Sequence, residues 1–181
     1  GVAALRRFHQ PELTLSGQPE QVEGRACHFG YEREIDGVHI RVGGLTHVRD
    51  DNDASCWLYL TNGECSLLIA GDLSTSAEKR LMRELESKGI RQPLTWLHLS
   101  HHGSKTSTNE EWLDFWQPKW ALNSRGRNNR FRHPHPSVIA RLRQRAIPLV
   151  DTAEVGAIFL QADRSGCITR SFLQTYRRYW H

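Results

Sequence analysis

Between residues 66 and 151 short apolar runs alternate with stretches of helical period, and this limits the fold more than any other feature of the chain. The run in "ECSLLIAGD" ends at Gly71-Asp72. Ala77, Leu81, Met82 and Leu85 then mark one face of a helix, with Thr75 and Glu78 spaced as a capping box and Lys88-Gly89 as its stop. "LTWLHL" reads as a buried strand ending at Ser100-His101. Thr108 and Glu111 open a second capped helix whose apolar side is Trp112, Leu113, Phe115 and Trp116, and Pro118 stops it. "KWALNS" is a short strand, and a third helix runs from about Pro136 to Arg145, with proline in its first turn. Upstream, "GVHIRVGG" alternates, and "SCWLYL", "TNG" and "ECSLLIAGD" predict a hairpin turning at Asn62-Gly63. Downstream, "IPLVDT", "GAIFLQA" and "GCITRSFL" are strands. The order is strands, helix, strand, helix, strand, helix, strands, which is α/β, with polar clusters in the loops after the strand ends. The first 25 residues are the least patterned: "VAALRRF" suits a short helix and "SGQPEQVEG" a loop.

A chain of 181 residues suffices for one domain with a real core. It contains no run of about 18 apolar residues and no signal-peptide pattern at its start. The net charge of +4 is compatible with an ordinary basic domain and with one that attracts an anionic partner such as nucleic acid. Residues 124–145 concentrate Arg125, Arg127, Arg130, Arg132, Arg141, Arg143 and Arg145, and residues 176–181 form a basic, aromatic tail. Cys27, Cys56, Cys65 and Cys167 lack the CxxC spacing of a zinc knuckle or redox pair, and whether they pair is open.

Three strand ends carry candidate chemistry. Gly71-Asp72 is a turn or cap, or a carboxylate bent into a cleft. In "SHHGSKTS" the adjacent His101 and His102 suit a divalent metal such as Zn²⁺ or Mn²⁺, with Ser104, Lys105, Thr106 and Ser107 placed to steady a phosphate. "SRGRNNRFRHPHP" is either a rigid basic surface loop or, through Asn129, Arg130, His133 and His135, a loop that binds phosphate and donates a proton. "RDDNDAS" reads as a solvated turn before a strand in preference to a cation site on its three aspartates. Asp72 with the two histidines falls short of a full metal shell.

Together "LLIAGD", "LHLSHHGSKTS" and "GRNNRFRHPHP", with "DNDASCWL" and "TAEVGAIFL", resemble the C-terminal metallo-β-lactamase-like domain of the ComEC family of DNA-uptake channel proteins, over roughly residues 25–162. The resemblance implies part of an αββα sandwich, spanning residues 1–175, whose N-terminal strands and first metal motif are missing. In that family a "THxDxDHxGG" motif precedes a helix like the one at "GVAALRRF", so the chain is expected to start just downstream of the main ligands and to bind metal poorly by itself. Asp72 maps onto the bridging aspartate, and the last ligand onto the strand-end pair, His101 in preference to His102.

For the intact domain the resemblance implies a metal-dependent hydrolase, a nuclease acting on incoming DNA, in single-stranded form, with two divalent ions (zinc or manganese) and no small-molecule cofactor. Asp72, His101 and His102 would hold metal. His102, Ser104, Lys105, Ser107, Asn129 and Arg130 would contact substrate, and His133 would protonate the leaving oxygen. The rest of the same polypeptide, including a membrane channel, is the implied partner, and an extracytoplasmic domain on a bacterial inner-membrane protein the implied location. Two alternatives stand beside this reading: a non-catalytic DNA-binding module, and another hydrolase of the same fold acting on a small phosphodiester.

Overall fold

A computed structural model describes residues 11–90, 93–163 and 165–175 of the chain. The expected helix at "VAALRRF" and the tail at 176–181 lie outside these residues. Two short strands, β1 (Leu15–Ser16) and β2 (Arg25–Ala26), pair in parallel ahead of the main sheet. The sheet then forms from β3 (Tyr31–Ile35), β4 (Val38–Gly44), β5 (Cys56–Thr61), β6 (Ser66–Ile69), β7 (Trp96–His98), β8 (Trp120–Asn123) and β9 (Leu149–Asp151). Its spatial order is the chain order, β3-β4-β5-β6-β7-β8-β9. Pairing is antiparallel from β3 to β6 and parallel from β6 to β9.

The change of sense follows from the connections. Asn62 and Gly63 close a hairpin at β5–β6, where Asn62 Oδ1 accepts from the Glu64 and Cys65 amides and Gly63 sits at φ +90°. After β6 each connection carries a helix, and a parallel neighbour needs such a crossover. These helices are α1 (Thr75–Ser87), α2 (Glu110–Trp116) and α3 (Pro136–Gln144). All pack on one face of the sheet: Leu81, Leu85, Trp112, Trp116, Val138 and Leu142 share a core with Tyr59, Leu68, Leu97 and Ala121. After β9 come the single turn α4 (Thr152–Val155), the hairpin of β10 (Ile158–Asp163) with β11 (Gly166–Ser171), and the turn α5 (Phe172–Thr175). This hairpin covers part of the opposite face, where Ile158, Leu160 and Cys167 meet Cys65, Trp96 and Leu122. Farther along that face Val42, Leu58 and Ile69 remain half-buried.

The α/β expectation holds, as does the strand–helix order. Local details differ. The cap of α1 is Ser74, whose Oγ accepts from the Ala77 amide at 3.4 Å, because the Thr75 hydroxyl is spent on the Thr106 carbonyl at 3.0 Å. Glu78 closes no capping box; it is fully buried and accepts from the Thr108 and Asn109 amides at 2.7 and 3.4 Å. Asn109, not Thr108, caps α2 through the Trp112 amide at 2.9 Å. Strand β7 stops at His98, short of the expected Ser100-His101, because His101 and His102 leave the extended region. The cysteines pair as Cys27–Cys56 and Cys65–Cys167.

Candidate active site

Four parallel strands bring their C-terminal ends to one edge of the sheet, the usual place for a site in an α/β fold. Asp72 follows β6, the His101–His102 pair follows β7, and the loop over 124–135 follows β8. Gly71 makes the first bend. Its φ is +64°, and a Cβ there would sit 2.5 Å from Ser55 Cβ, so the position needs glycine on both counts. Ser55 Oγ accepts from the Asp72 amide at 3.0 Å, and both carboxylate oxygens of Asp53 accept from Ser74, one from its amide and one from its hydroxyl. The "RDDNDAS" turn is therefore a brace for the Asp72 loop.

His101 and His102 both adopt left-handed backbone angles, φ +48° and +54°. Such angles are uncommon for residues with a Cβ and mark a functional or strained turn. The His101 amide donates to the Gly71 carbonyl at 3.0 Å, tying the two loops together. His102 Nδ1 lies 2.7 Å from the Ser124 carbonyl. A carbonyl only accepts, so Nδ1 carries the proton, and in the neutral ring Nε2 presents its lone pair. That lone pair faces Asp72 Oδ1 across 3.9 Å. Two electron-rich atoms held this way suit a shared cation. A backbone carbonyl fixing the tautomer of a metal-binding histidine is the usual outer-shell arrangement. It is His102, not the favoured His101, that stands opposite Asp72.

The loop after β8 closes over the pair. The Asn129 side chain brackets His133, donating to its carbonyl at 2.9 Å and accepting from its amide at 2.8 Å. The His135 amide donates to the Gly103 carbonyl at 2.8 Å, and His135 Nδ1 accepts from the Ser137 amide at the start of α3. The His133 ring stands edge-on to His101 at 6.0 Å. Burial, then the nearby charges of His101, His102 and His135, hold the His133 pKa below its ordinary value.

The remaining candidates divide. Lys105 is exposed beside the site, while Ser104 is buried, with its hydroxyl 3.2 Å from that of Thr106. Ser107 is fully buried and donates to the Ser100 and Ser104 carbonyls at 2.7 and 3.1 Å, which makes it a support of the turn and not a contact for a ligand. Asn129 likewise has both amide ends occupied. Arg130 is exposed. Much of the arginine run serves the fold: Arg125 pairs with Asp151 at 2.6 Å, Arg127 donates to the Ala153 carbonyl, Arg141 to the Ser107 and Thr108 carbonyls, and Arg145 pairs with Asp114.

His98 was not anticipated. It sits on β7 opposite Ile69 and Leu122, and its Nδ1 is buried without a hydrogen-bond partner among the described residues. Burial, then the charge of His102, lowers its pKa, and Asp72 opposes the shift. One histidine in an apolar run carries no signal of its own, and only the strand register places it next to the turn. Among the described residues no three His, Cys, Asp or Glu side chains converge closely enough to enclose a metal ion. Asp72 and His102 fit two positions of such a shell.

Competence protein ComA of Neisseria gonorrhoeae is 35% identical over 169 residues, 91% of this chain and 24% of that protein. ComE operon protein 3 of Bacillus subtilis is 36% identical over 107 residues, 59% of this chain and 13% of its own length. Recombination protein 2 of Haemophilus influenzae is 33% identical over 134 residues, 73% and 16%. The chain belongs to the ComEC family. No protein-family model matches it. The chain thus spans a quarter or less of the ComEC relatives it matches.

Proposed function

We propose that the chain is part of the metallo-β-lactamase-like domain of a ComEC protein, and that this domain is a metal-dependent nuclease acting on DNA taken up during competence. The carrying observation is the Asp72 Oδ1–His102 Nε2 approach of 3.9 Å at the ends of neighbouring parallel strands, with His102 Nδ1 turned to the Ser124 carbonyl. The name of competence protein ComA favours a role in competence. The fold assignment draws support from a sheet with three helices on one face and a half-buried row, Val42, Leu58 and Ile69, on the other, as half of an αββα sandwich has.

In this reading Asp72 and His102 hold metal, with His101 adjacent, and the family's upstream histidine motif supplies further ligands. Two divalent ions, zinc or manganese, would supply the acidity that makes water nucleophilic near neutral pH and would offset phosphate charge. Lys105 draws the phosphate to the exposed turn. His133, held by Asn129 beside His101, would donate a proton to the leaving oxygen from its protonated form, the minor form near neutral pH given its lowered pKa. Single-stranded DNA is the substrate, and a membrane channel on the same polypeptide its source. Two disulfides suit an oxidising, extracytoplasmic compartment. Among the described residues no helix is long and apolar enough to cross a membrane.

The test is Mn²⁺- and Zn²⁺-dependent cleavage of single-stranded DNA by the domain including its upstream histidine motif. Asp72→Asn and His102→Ala should each lower the rate more than about a hundredfold with the circular dichroism spectrum unchanged. Cleavage that survives both substitutions, or that needs no metal, would overturn the assignment. Salt-dependent DNA binding without cleavage would instead indicate a binding module. Cleavage confined to small phosphodiesters would indicate a different hydrolase.

A further inference from the structure

We propose that Phe131 is a nucleobase-stacking platform, seating one base of a single-stranded nucleic acid next to the Asp72–His102 site. The inference rests on the phosphodiester reading above and extends it to how the strand is held.

Three successive contacts connect the exposed loop to the site. The Arg130 guanidinium lies 4.8 Å over the Phe131 ring. Phe131 stacks on His133 with centroids 5.8 Å apart and planes 17° apart. His133 meets His101 edge-on at 6.0 Å. Phe131 is 63% exposed, so most of a large apolar ring stands in water. A single exposed apolar residue is ordinary. This one differs in stacking on His133, which itself meets His101 of the site. Asn129 clasps His133 by both backbone groups, and the loop is tied down by the His135 amide on the Gly103 carbonyl.

The ring offers a flat face and no hydrogen-bonding edge, which suits any base and reads none. The guanidinium over it is planar too, so an incoming base can replace it or stack on it. With Arg125, Arg127, Arg141 and Arg145 engaged within the fold, the exposed Arg130 over the ring offers positive charge for the strand's phosphates, and the exposed Arg132 is its next neighbour in sequence. An exposed aromatic between cations beside a phosphate site is the way proteins hold single strands without sequence preference. A duplex does not suit the ring, because its base faces are already stacked on one another.

The experiment is a cycle of binding measurements by fluorescence anisotropy, without metal, using a thymidine 12-mer and a 12-mer of abasic sites with the same backbone. Wild type should bind the thymidine strand tighter by about fivefold to a hundredfold. Phe131→Ala should bind both strands alike, at the level wild type shows for the abasic one, and Phe131→Trp should restore the preference. If wild type binds both strands equally, the platform is refuted while the DNA reading stands. If Phe131→Ala keeps the preference, the base is held elsewhere and the platform is again refuted. If wild type binds neither strand, the DNA reading and the platform fall together.

Discussion

At the scale of single residues, the site depends on backbone angles that the side chains do not favour. Two consecutive non-glycine residues in the left-handed region, His101 and His102, cost about 1–3 kcal/mol each. The Gly71 carbonyl, the Ser124 carbonyl and the Gly103–His135 bond hold them there. The return is orientation: the chain doubles back immediately after β7, and His102 faces Asp72 instead of continuing along the sheet. His133 owes its place to Asn129 in the same way. The proton-donor role proposed for it predicts that His133→Ala lowers kcat on single-stranded DNA at least about a hundredfold while KM changes less than about threefold. Equal loss in both would make His133 a binding or structural residue.

Among the elements, α1 and α3 grip the loop that carries the hydroxyl cluster. Glu78 of α1 accepts the Thr108 and Asn109 amides, and Arg141 of α3 donates to the Ser107 and Thr108 carbonyls at 3.3 and 3.1 Å. The backbone between β7 and α2 is thus held at its amides by one helix and at its carbonyls by another. Burial pushes the Glu78 carboxyl up to about 7, against the opposing pull of the Thr108 amide, the nearby Ser100 hydroxyl, the Asn109 amide and the Arg141 charge. A folded-state pKa above the unfolded one means that the native chain binds the proton more tightly. The corresponding stability is complete below about pH 4.5 and is lost as the pH rises through about 7. Urea melts from pH 5 to 8 should show wild type losing stability across this window. Glu78→Gln, which keeps an acceptor for the Thr108 amide, should flatten the profile. An unchanged slope in the variant would place the pH dependence on another group.

Across the whole molecule, the Cys65–Cys167 disulfide joins the start of β6 to the hairpin that covers the second sheet face, bridging 102 positions of sequence. Replacing both cysteines by serine should lower the unfolding free energy by about 2–5 kcal/mol. Cleavage per folded molecule should be unchanged, because Cys65 lies at the opposite end of β6 from Asp72. A variant as stable as wild type would show that the hairpin is held by packing alone. The sequence by itself determined the alternation of strands and helices, the hairpin at Asn62-Gly63, and that polar loops carrying Asp72 and His101–His102 follow two neighbouring strands, though not the residue at which β7 stops. These are local matters of period, turn residues and the position of polar groups after apolar runs. What only the tertiary structure decided was partnership. It showed which histidine faces Asp72, that Ser107 points inward, that most of the arginine run is spent on carbonyls and carboxylates, that Glu78 clamps a loop 30 residues away, and how the cysteines pair. Each depends on groups remote in sequence meeting at one end of the sheet or across its faces. Spacing along the chain fixes which way a strand ends; it carries no information about which neighbouring strand supplies the group that meets it.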